Sequence, residues 1–298
     1  MRLSATLPLA VLAALMAAGW VVVPWAALLD WTMQAQRGFQ EAMALSLRAV
    51  QRGDPLAVVS LCAATFLYGA VHAAGPGQGK VLLGGAALAS GATMRRMAVL
   101  TLASSLAQAA VAVALIGALA VLLLMGARQV GAVADTWLAP VSHAMIAAVG
   151  ILLASRGVRM LRQLEPSGHH HHDIVQGDAC GCGHSHGPSI EEAISLADWR
   201  EAAALVASIA IRPCTGALFL LAIALGLDLF WTATLAVGAM GLGTAAFNLV
   251  VAGGGVLARR MAVLGARGPT LQRVSGGAHL LSGSLIVALS VVWLARVI

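Results

Sequence analysis

Long apolar runs separated by short polar connections extend along nearly the whole chain. Each run holds about 20 residues or more, the length that an α-helix needs to cross a hydrocarbon core roughly 30 Å thick. Lipid requires every backbone polar group to be paired internally, and no alternating pattern typical of a barrel is visible. The pattern predicts an all-α, polytopic membrane bundle with spans at about residues 6–28, 55–75, 97–125, 137–157, 202–226, 229–257 and 275–296.

The first run is compatible with two interpretations. Only Arg2 precedes it, and Ala17 and Ala18 lie near its end, an arrangement that also occurs in cleaved signal peptides. We favour a retained helix because the apolar stretch continues to Trp25. Cleavage would leave six spans instead of seven. It would not change the side of the membrane on which each remaining span begins and ends.

Residues 30–54 form the first polar connection. They contain both charge signs, and apolar residues recur at helical spacing, namely Phe39, Met43, Leu45 and Leu47. This arrangement predicts a short amphipathic helix on the external surface of the membrane.

Composition and charge indicate a membrane protein and exclude a nucleic-acid partner. Hydrophobic residues make up 60% of the chain and charged residues 10%, whereas about a quarter of a soluble domain is charged. The net charge of +6 comes from arginines grouped beside the apolar runs, as topology determinants are. By the positive-inside rule the connections that carry them are cytoplasmic, which indicates an inner (cytoplasmic) membrane location. These arginines are Arg95, Arg96, Arg156, Arg159, Arg162, Arg259, Arg260, Arg267 and Arg273.

The six later spans divide into three, a polar loop and three more. We therefore divide the chain into residues 1–54, a first repeat at 55–157, a cytoplasmic loop at 158–200 and a second repeat at 201–298. Each repeat opens with a span that proline interrupts, within residues 72–80 and 211–217. Corresponding breaks in two halves are typical of repeat-built transporters with a site near the midplane. Because three is odd, the repeats would be inverted. A homo-oligomer is compatible with the sequence.

The polar loop contains a dense group of histidines and cysteines at residues 168–189. Imidazole and thiolate groups bind nickel, cobalt, copper and zinc, and a flexible segment rich in both needs no prior fold to chelate them. The spacing fits no closed structural zinc site and the mixed run is unlike an expression tag, so metal capture or sensing is favoured over a solvated linker. The predicted ligands are His169, His170, His171, His172, Cys180, Cys182, His184 and His186.

The first break is a Gly-Pro-Gly-Gln-Gly-Lys stretch that closely follows His72. It is not a nucleotide-binding loop, because the Walker pattern needs glycine at position 74 and serine or threonine at position 81. Pro76 removes a backbone donor, so the helix is expected to unwind beside His72, which we predict as a metal ligand. Lys80 either extends to the membrane interface or occupies the empty site electrostatically. The glycines expected to permit unusual dihedral angles are Gly75, Gly77 and Gly79.

The second break contains Arg212, Pro213 and Cys214. An arginine inside a span is costly and is usually paired or in contact with water. A cysteine beside a broken helix is a suitable ligand for a soft metal ion. Cys62 has no adjacent proline, and we expect it to pack as a small apolar side chain.

Other polar and small residues lie inside the spans. His143 and His279 are expected to form hydrogen bonds with neighbours. Thr244 and Asn248, one turn apart in the sixth span, are candidates for lining a polar path. The glycines of the same span are expected to let helices approach closely, and they are Gly238, Gly241 and Gly243.

With these motifs the chain resembles the NicO family of nickel and cobalt transporters over about residues 55–296. That family has a His-Ala-x-Gly-Pro-Gly-His-Gly-Lys signature, a histidine-rich cytoplasmic loop and a Pro-Cys element in the second half. Here the signature spans residues 72–80, with Gln78 in place of the second histidine. An amide oxygen is a harder and weaker ligand than imidazole, so metal identity or affinity would differ. The His-x4-Asp-His signature of the nickel-uptake permeases is absent.

The resemblance implies a secondary transporter of Ni²⁺ or Co²⁺ rather than an enzyme, with no tightly bound cofactor. His72, Gln78 and Cys214 would bound the central site, backbone carbonyls at the two breaks would assist, and the loop would collect metal, which favours efflux. Two alternatives remain. A transmembrane thiol-disulfide electron carrier would need Pro-Cys elements in both halves, and only Cys214 has one. A metal sensor or assembly factor would use the loop without transport.

Overall fold

The protein is a bundle of helices. The computed structural model describes residues 24–75, 78–89, 93–123, 134–163, 199–263 and 269–297. Within these ranges the chain contains no strand, and a π-helical turn, Ala134–Leu138, precedes the fifth helix. The helices are α1 (Trp25–Gln51), α2 (Ala57–Ala74), α3 (Gln78–Ala89), α4 (Met94–Leu123), α5 (Ala139–Arg162), α6 (Trp199–Ala210), α7 (Thr215–Leu225), α8 (Phe230–Ala262) and α9 (Pro269–Val297). The predicted all-α membrane bundle is confirmed.

The described helices match the predicted spans closely. Five are long and apolar enough to cross a membrane, at Ala57–Ala74, Met94–Ala118, Thr136–Arg162, Phe230–Met261 and Thr270–Ala295. The short helices α6 and α7 form a pair bent by 56°, which is either a sixth, broken span or a re-entrant loop. Large apolar side chains such as Val250 and Leu281 are exposed on the outside of the bundle, as contact with lipid requires. The first predicted span, at residues 6–28, lies almost entirely outside the described residues.

The two halves of the chain have the same order of elements. In each half a helix ends at a break, a short helix follows, and two long helices complete the half: α2 to α5 in the first and α6 to α9 in the second. The last helices of the halves, α5 and α9, cross in antiparallel orientation, since Gly150 lies against Gly283 and Gly157 against Gly276. An inverted repeat would have this order and this contact, so we infer one.

Arginines of the predicted cytoplasmic connections meet at one end of the bundle. Arg259 of α8 donates hydrogen bonds to the Leu88 and Ala89 carbonyl oxygens at the end of α3, at 3.2 and 2.7 Å. The same guanidinium donates to Ser275 Oγ near the start of α9, at 3.1 Å. These bonds satisfy carbonyls that the end of α3 leaves without helical partners. We call this the basic end, and it contains Arg95, Arg96, Arg159, Arg162, Arg259, Arg260 and Arg273.

The two breaks lie deep in the bundle. Helix α3 begins after the first break and ends at the basic end, and its 12 residues extend over roughly 18 Å. Helix α6 also has 12 residues and ends at the second break. Each break therefore lies roughly 18 Å, along the helix axis, from the other end of its short helix, a distance shorter than a hydrocarbon core of roughly 30 Å.

Helix α1 is longer than the predicted surface helix and lies along the bundle. It has 27 residues and runs antiparallel to α2, because Ser46 contacts Ser60 and Gln36 contacts His72. Of its predicted apolar face, Met43 and Leu47 are buried against α2 and α7, whereas Leu45 is 64% exposed. The expectation for Leu45 was wrong because a residue two positions away lies on nearly the opposite side of a helix.

Candidate metal centre

Helix α2 ends and helix α7 begins close together in the middle of the bundle. The last turn of α2 carries His72, and the Gly75 amide that follows hydrogen-bonds the Val71 and His72 carbonyl oxygens. Pro213 has no backbone N–H, so α6 cannot continue through it. Cys214 then adopts extended backbone, with φ −67° and ψ 128°, and is the residue that caps α7. The two breaks thus present one histidine and one cysteine.

The His72 imidazole and the Cys214 thiol lie close enough to interact electrostatically. The Cys214 sulfur also lies near the backbone amides of Gly216 and Ala217, although it forms no hydrogen bond of full capping geometry. These contacts hold the sulfur at the tip of α7, beside the imidazole. The structure therefore brings together two residues that the sequence predicted separately.

Three side chains fix the orientation of His72. Its Nδ1 lies 3.2 Å from Gln36 Oε1 of α1, and since an amide oxygen only accepts, this contact places the proton on Nδ1 and leaves the lone pair on Nε2. The ring stacks on Tyr68, with centroids 5.6 Å apart and an interplanar angle of 11°. Gln40 Nε2 donates to Tyr68 Oη at 3.4 Å. The tyrosine ring also lies against Gly216, where a Cβ would overlap it.

A small cavity adjoins the other side of Cys214. Polar side chains of α4 and α8 line it, together with apolar neighbours: Ser105, Gln108, Ala109, Ala217, Val237, Met240, Gly241 and Thr244. Gln108 Nε2 donates to the Arg212 carbonyl oxygen at 2.7 Å, so this carbonyl is already hydrogen-bonded. Thr244 Oγ1 donates to the Gly69 carbonyl oxygen at 3.2 Å and thereby joins α8 to α2.

Arg212 is paired, as expected of an arginine inside a span. Its Nη1 lies 3.3 Å from His143 Nε2 of α5, and the His143 ring stacks on Trp293 of α9 at a centroid distance of 6.3 Å. His279 is buried, with Nδ1 2.9 Å from the Ser275 carbonyl oxygen. The prediction that both histidines form hydrogen bonds with neighbours is confirmed.

Two glycines at the first break have ordinary backbone angles. Gly75 has φ −61°, a value open to any residue, and Gly79 lies inside α3. The prediction of unusual dihedral angles was therefore wrong at both positions. A Cβ at Gly75 would approach the His72 carbonyl oxygen to 3.3 Å, a tight contact, and Gln36 Nε2 to 3.6 Å, an ordinary one. Gly75 thus lies beside both Gln36 and His72.

Close packing explains two of the three glycines in α8. A Cβ at Gly243 would overlap the Phe66 carbonyl of α2, and one at Gly241 would lie 3.2 Å from the Ser105 carbonyl oxygen of α4. Gly238 has no atom within 4 Å of such a Cβ, so the expectation of a close helix contact was wrong there. Its position on α8 faces open space.

Several predicted site residues lie outside the described part of the chain. They are Pro76, Gly77 and all eight histidines and cysteines of the loop, and the side chains of Gln78 and Lys80 are likewise not described. Within the described ranges, no group of three or more His, Cys, Asp or Glu side chains could hold a metal ion. His72 and Cys214 therefore offer two side chains of ligating type and no third from this set.

Sequence reasoning missed the polar neighbours of the pair. Gln36 and Gln40 are one turn apart on the same face of α1 as Met43 and Leu47. Glutamines in line with a buried apolar face are a pattern that would have indicated a polar contact with α2. Ser105 and Gln108 gave no comparable pattern, because their importance depends on which helix faces α4.

The comparisons with known proteins agree with the sequence resemblance. No protein-family model and no solved structure matches the chain. A Haemophilus influenzae protein described as "Putative nickel/cobalt efflux system" is 30% identical over 223 residues, which cover 70% of this chain and 69% of that protein. With its five or six candidate spans among the described residues, the chain is a multi-pass membrane protein. Such identity over most of both chains shows common descent, and the protein belongs to the NicO family of nickel/cobalt transporters.

Proposed function

We propose that the protein exports Ni²⁺ or Co²⁺ across the cytoplasmic membrane, without catalysis or a resident cofactor. The observation that carries the proposal is the contact of His72 with Cys214, which joins a nitrogen and a sulfur ligand from the two broken spans. Imidazole and thiolate together suit the later first-row transition metals. The printed description of the Haemophilus influenzae relative names nickel and cobalt, and efflux.

Two side-chain ligands leave coordination positions open on the ion. A transported ion must bind well enough to enter the site and weakly enough to leave it, so an incomplete protein shell suits transport better than a closed one. We place Gln78 as the third ligand, because it is the first residue of α3 and directly follows the break that His72 precedes. Water or backbone carbonyls would complete the shell.

Alternating access is the mechanism that we propose for the movement of the ion. We place the breaks about halfway through the membrane, because the short helix α3 extends over roughly 18 Å from the first break to the basic end. The last helices of the two halves cross in antiparallel orientation. Rocking of one half against the other would expose a pair at this depth first to one side and then to the other.

The direction of transport follows from the position of the loop. The loop connects the end of α5 at Arg162 with the start of α6 at Trp199. The positive-inside rule predicts that the arginine-rich end of the bundle is cytoplasmic. We propose that the histidines and cysteines of residues 168–189 collect metal there and deliver it to the pair. Metal concentrated on the cytoplasmic side is at the starting point of export.

Purified protein in liposomes tests the proposal. With nickel, cobalt, zinc and copper each supplied on one side, we expect flux of nickel or cobalt to exceed that of the other two ions. Deletion of residues 168–189 should slow the flux at low metal concentration without abolishing it. Metal binding without flux of any ion would instead support a sensor or assembly factor.

The contact of Gln36 with His72 gives a prediction about affinity. Gln36→Leu removes the acceptor that holds His72 with its proton on Nδ1, and the loss of such a supporting contact typically weakens metal binding by about 10–100-fold. Cobalt titration of the detergent-solubilised protein, with the loop ligands replaced by serine, measures the effect. Gln34→Leu is the control, because Gln34 is exposed on the same helix. Equal affinities in the two variants would mean that Gln36 does not position His72.

A further inference from the structure

Three buried polar atoms without a partner lie on α4 and α8, two helices that pack against each other. Among the described residues, four buried side-chain oxygens have no hydrogen-bond partner: Thr101 Oγ1, Ser105 Oγ, Asn248 Oδ1 and Ser290 Oγ. Thr101 and Ser105 are almost completely buried, at 0% and 2% exposure. A buried hydroxyl that forms no hydrogen bond destabilises the fold, and replacing it with an apolar group would be neutral or stabilising. Packing alone therefore does not explain why these oxygens are present.

The register of the two helices places three of these four residues along the contact between α4 and α8. A Cβ at Gly241 would lie 3.2 Å from the Ser105 carbonyl oxygen, and one at Gly253 would lie 3.2 Å from Met94 Cε. The helices are thus antiparallel, and Asn248, on the same face of α8 as Gly241, falls within about one helical turn of the level of Thr101. We call the row formed by Ser105, Thr101 and Asn248 the oxygen seam.

The oxygen seam connects the candidate metal centre with the basic end. Ser105 lines the same small cavity as Cys214. From there the seam passes Thr101 and Asn248 towards Met94, the first residue of α4, which precedes Arg95 and Arg96. This is the end of the bundle to which the histidine- and cysteine-rich loop is attached.

We propose that the oxygen seam is the route by which the metal ion passes between the basic end and the His72–Cys214 pair. The proposal rests on the proposed function. Hydroxyl and amide oxygens replace water molecules that a divalent ion loses on entering the bundle, and neutral oxygens hold it weakly enough to release it onward. The seam is closed in this structure, since α4 and α8 are in backbone contact at Gly241. Separation of α4 from α8 would open it.

The first test is flux in liposomes. The double variant Thr101→Val/Ser105→Ala removes both hydroxyls and keeps nearly the same shape, and we expect flux to fall about tenfold. With Cys180 and Cys182 replaced by serine, cobalt binding to Cys214, followed by the thiolate-to-cobalt absorption band, should stay within about twofold of the same background without the double variant. The melting temperature should not fall. Unchanged flux in the double variant would overturn the proposal.

Two serines serve as matched controls. Ser104 is adjacent to Ser105, but its hydroxyl donates to the Thr101 carbonyl oxygen at 3.0 Å. Ser290 is also buried and unpartnered, but it lies on α9, away from the seam. Ser104→Ala and Ser290→Ala should both transport like wild type. A loss of flux in Ser290→Ala equal to that of the double variant would show that the seam has no special role.

A second test does not depend on flux. We expect Thr101→Cys to react with a cationic methanethiosulfonate at least about tenfold faster than Ser290→Cys, and cobalt to slow the reaction. If wild-type protein moves no metal, the proposed function fails, and these labelling rates still decide whether ions enter the seam. Equal rates at the two positions, or no protection by cobalt, would overturn the proposal.

Discussion

Replacing Cys214 by serine is expected to abolish metal transport. The variant keeps the shape of the side chain at the tip of α7 but removes the sulfur that contacts His72. Because the loss of a mere supporting contact weakens metal binding by about 10–100-fold, the loss of a direct ligand should weaken it by about a hundredfold or more. Nickel or cobalt flux in liposomes should fall to the background rate, and the thiolate-to-cobalt absorption band should disappear once Cys180 and Cys182 are also serine.

Cys62 provides the matched control for this result. It is a free cysteine inside a span and packs against the same core cluster as Cys214, yet no proline interrupts the helix beside it. Cys62→Ser should therefore keep both flux and the absorption band. If Cys214→Ser transports at the wild-type rate, the His72–Cys214 pair is not the transport site.

The substitution Gly243→Ala is expected to prevent stable folding. Its Cβ would overlap the Phe66 carbonyl, which is backbone of α2, and a Cβ at Gly69 would in turn overlap the Met240 carbonyl. Relief requires separating α2 from α8 rather than rotating a side chain. Overpacking typically costs about 1–3 kcal/mol and occasionally more, and we expect the upper end or beyond. Thermal denaturation in detergent and the yield of monodisperse protein measure the loss.

Gly238→Ala is the control on the same helix. A Cβ at Gly238 meets no atom within 4 Å, so alanine should fit and should raise helix stability by about 0.5–1 kcal/mol. The melting temperature of this variant should equal or exceed that of wild type. If both alanine variants are as stable as wild type, the crossing of α2 and α8 is looser than the structure indicates.

The candidate site was predictable in part. His72 and Cys214 were found because each lies beside a proline that interrupts an apolar run, and a break at membrane depth needs only local sequence to be noticed. Gln36 was missed because the segment that contains it was interpreted as a surface helix. Its contact with His72 exists only because α1 lies along α2.

Helix packing decided which polar residues matter. Thr244 was predicted to line a polar path. In the structure its hydroxyl donates a hydrogen bond to the Gly69 carbonyl oxygen and thereby joins α8 to α2. Ser104 and Ser105 are neighbours of the same type in sequence, yet only the second lines the cavity at Cys214. Hydrophobic periodicity cannot separate them, because both positions are buried.

The sequence by itself determined the membrane class, the apolar helices that the structure describes, the two breaks and the histidine or cysteine at each. These properties depend on the length of apolar runs and on proline, which act within a few residues of the chain. Only the tertiary structure decided that His72 lies beside Cys214, that Gln36 contacts the imidazole, and that buried oxygens of α4 and α8 are left without a hydrogen-bond partner. The physical reason is that glycines in close contact set how helices far apart in the sequence align with each other. The strength of each such contact depends on the surface of the opposing helix.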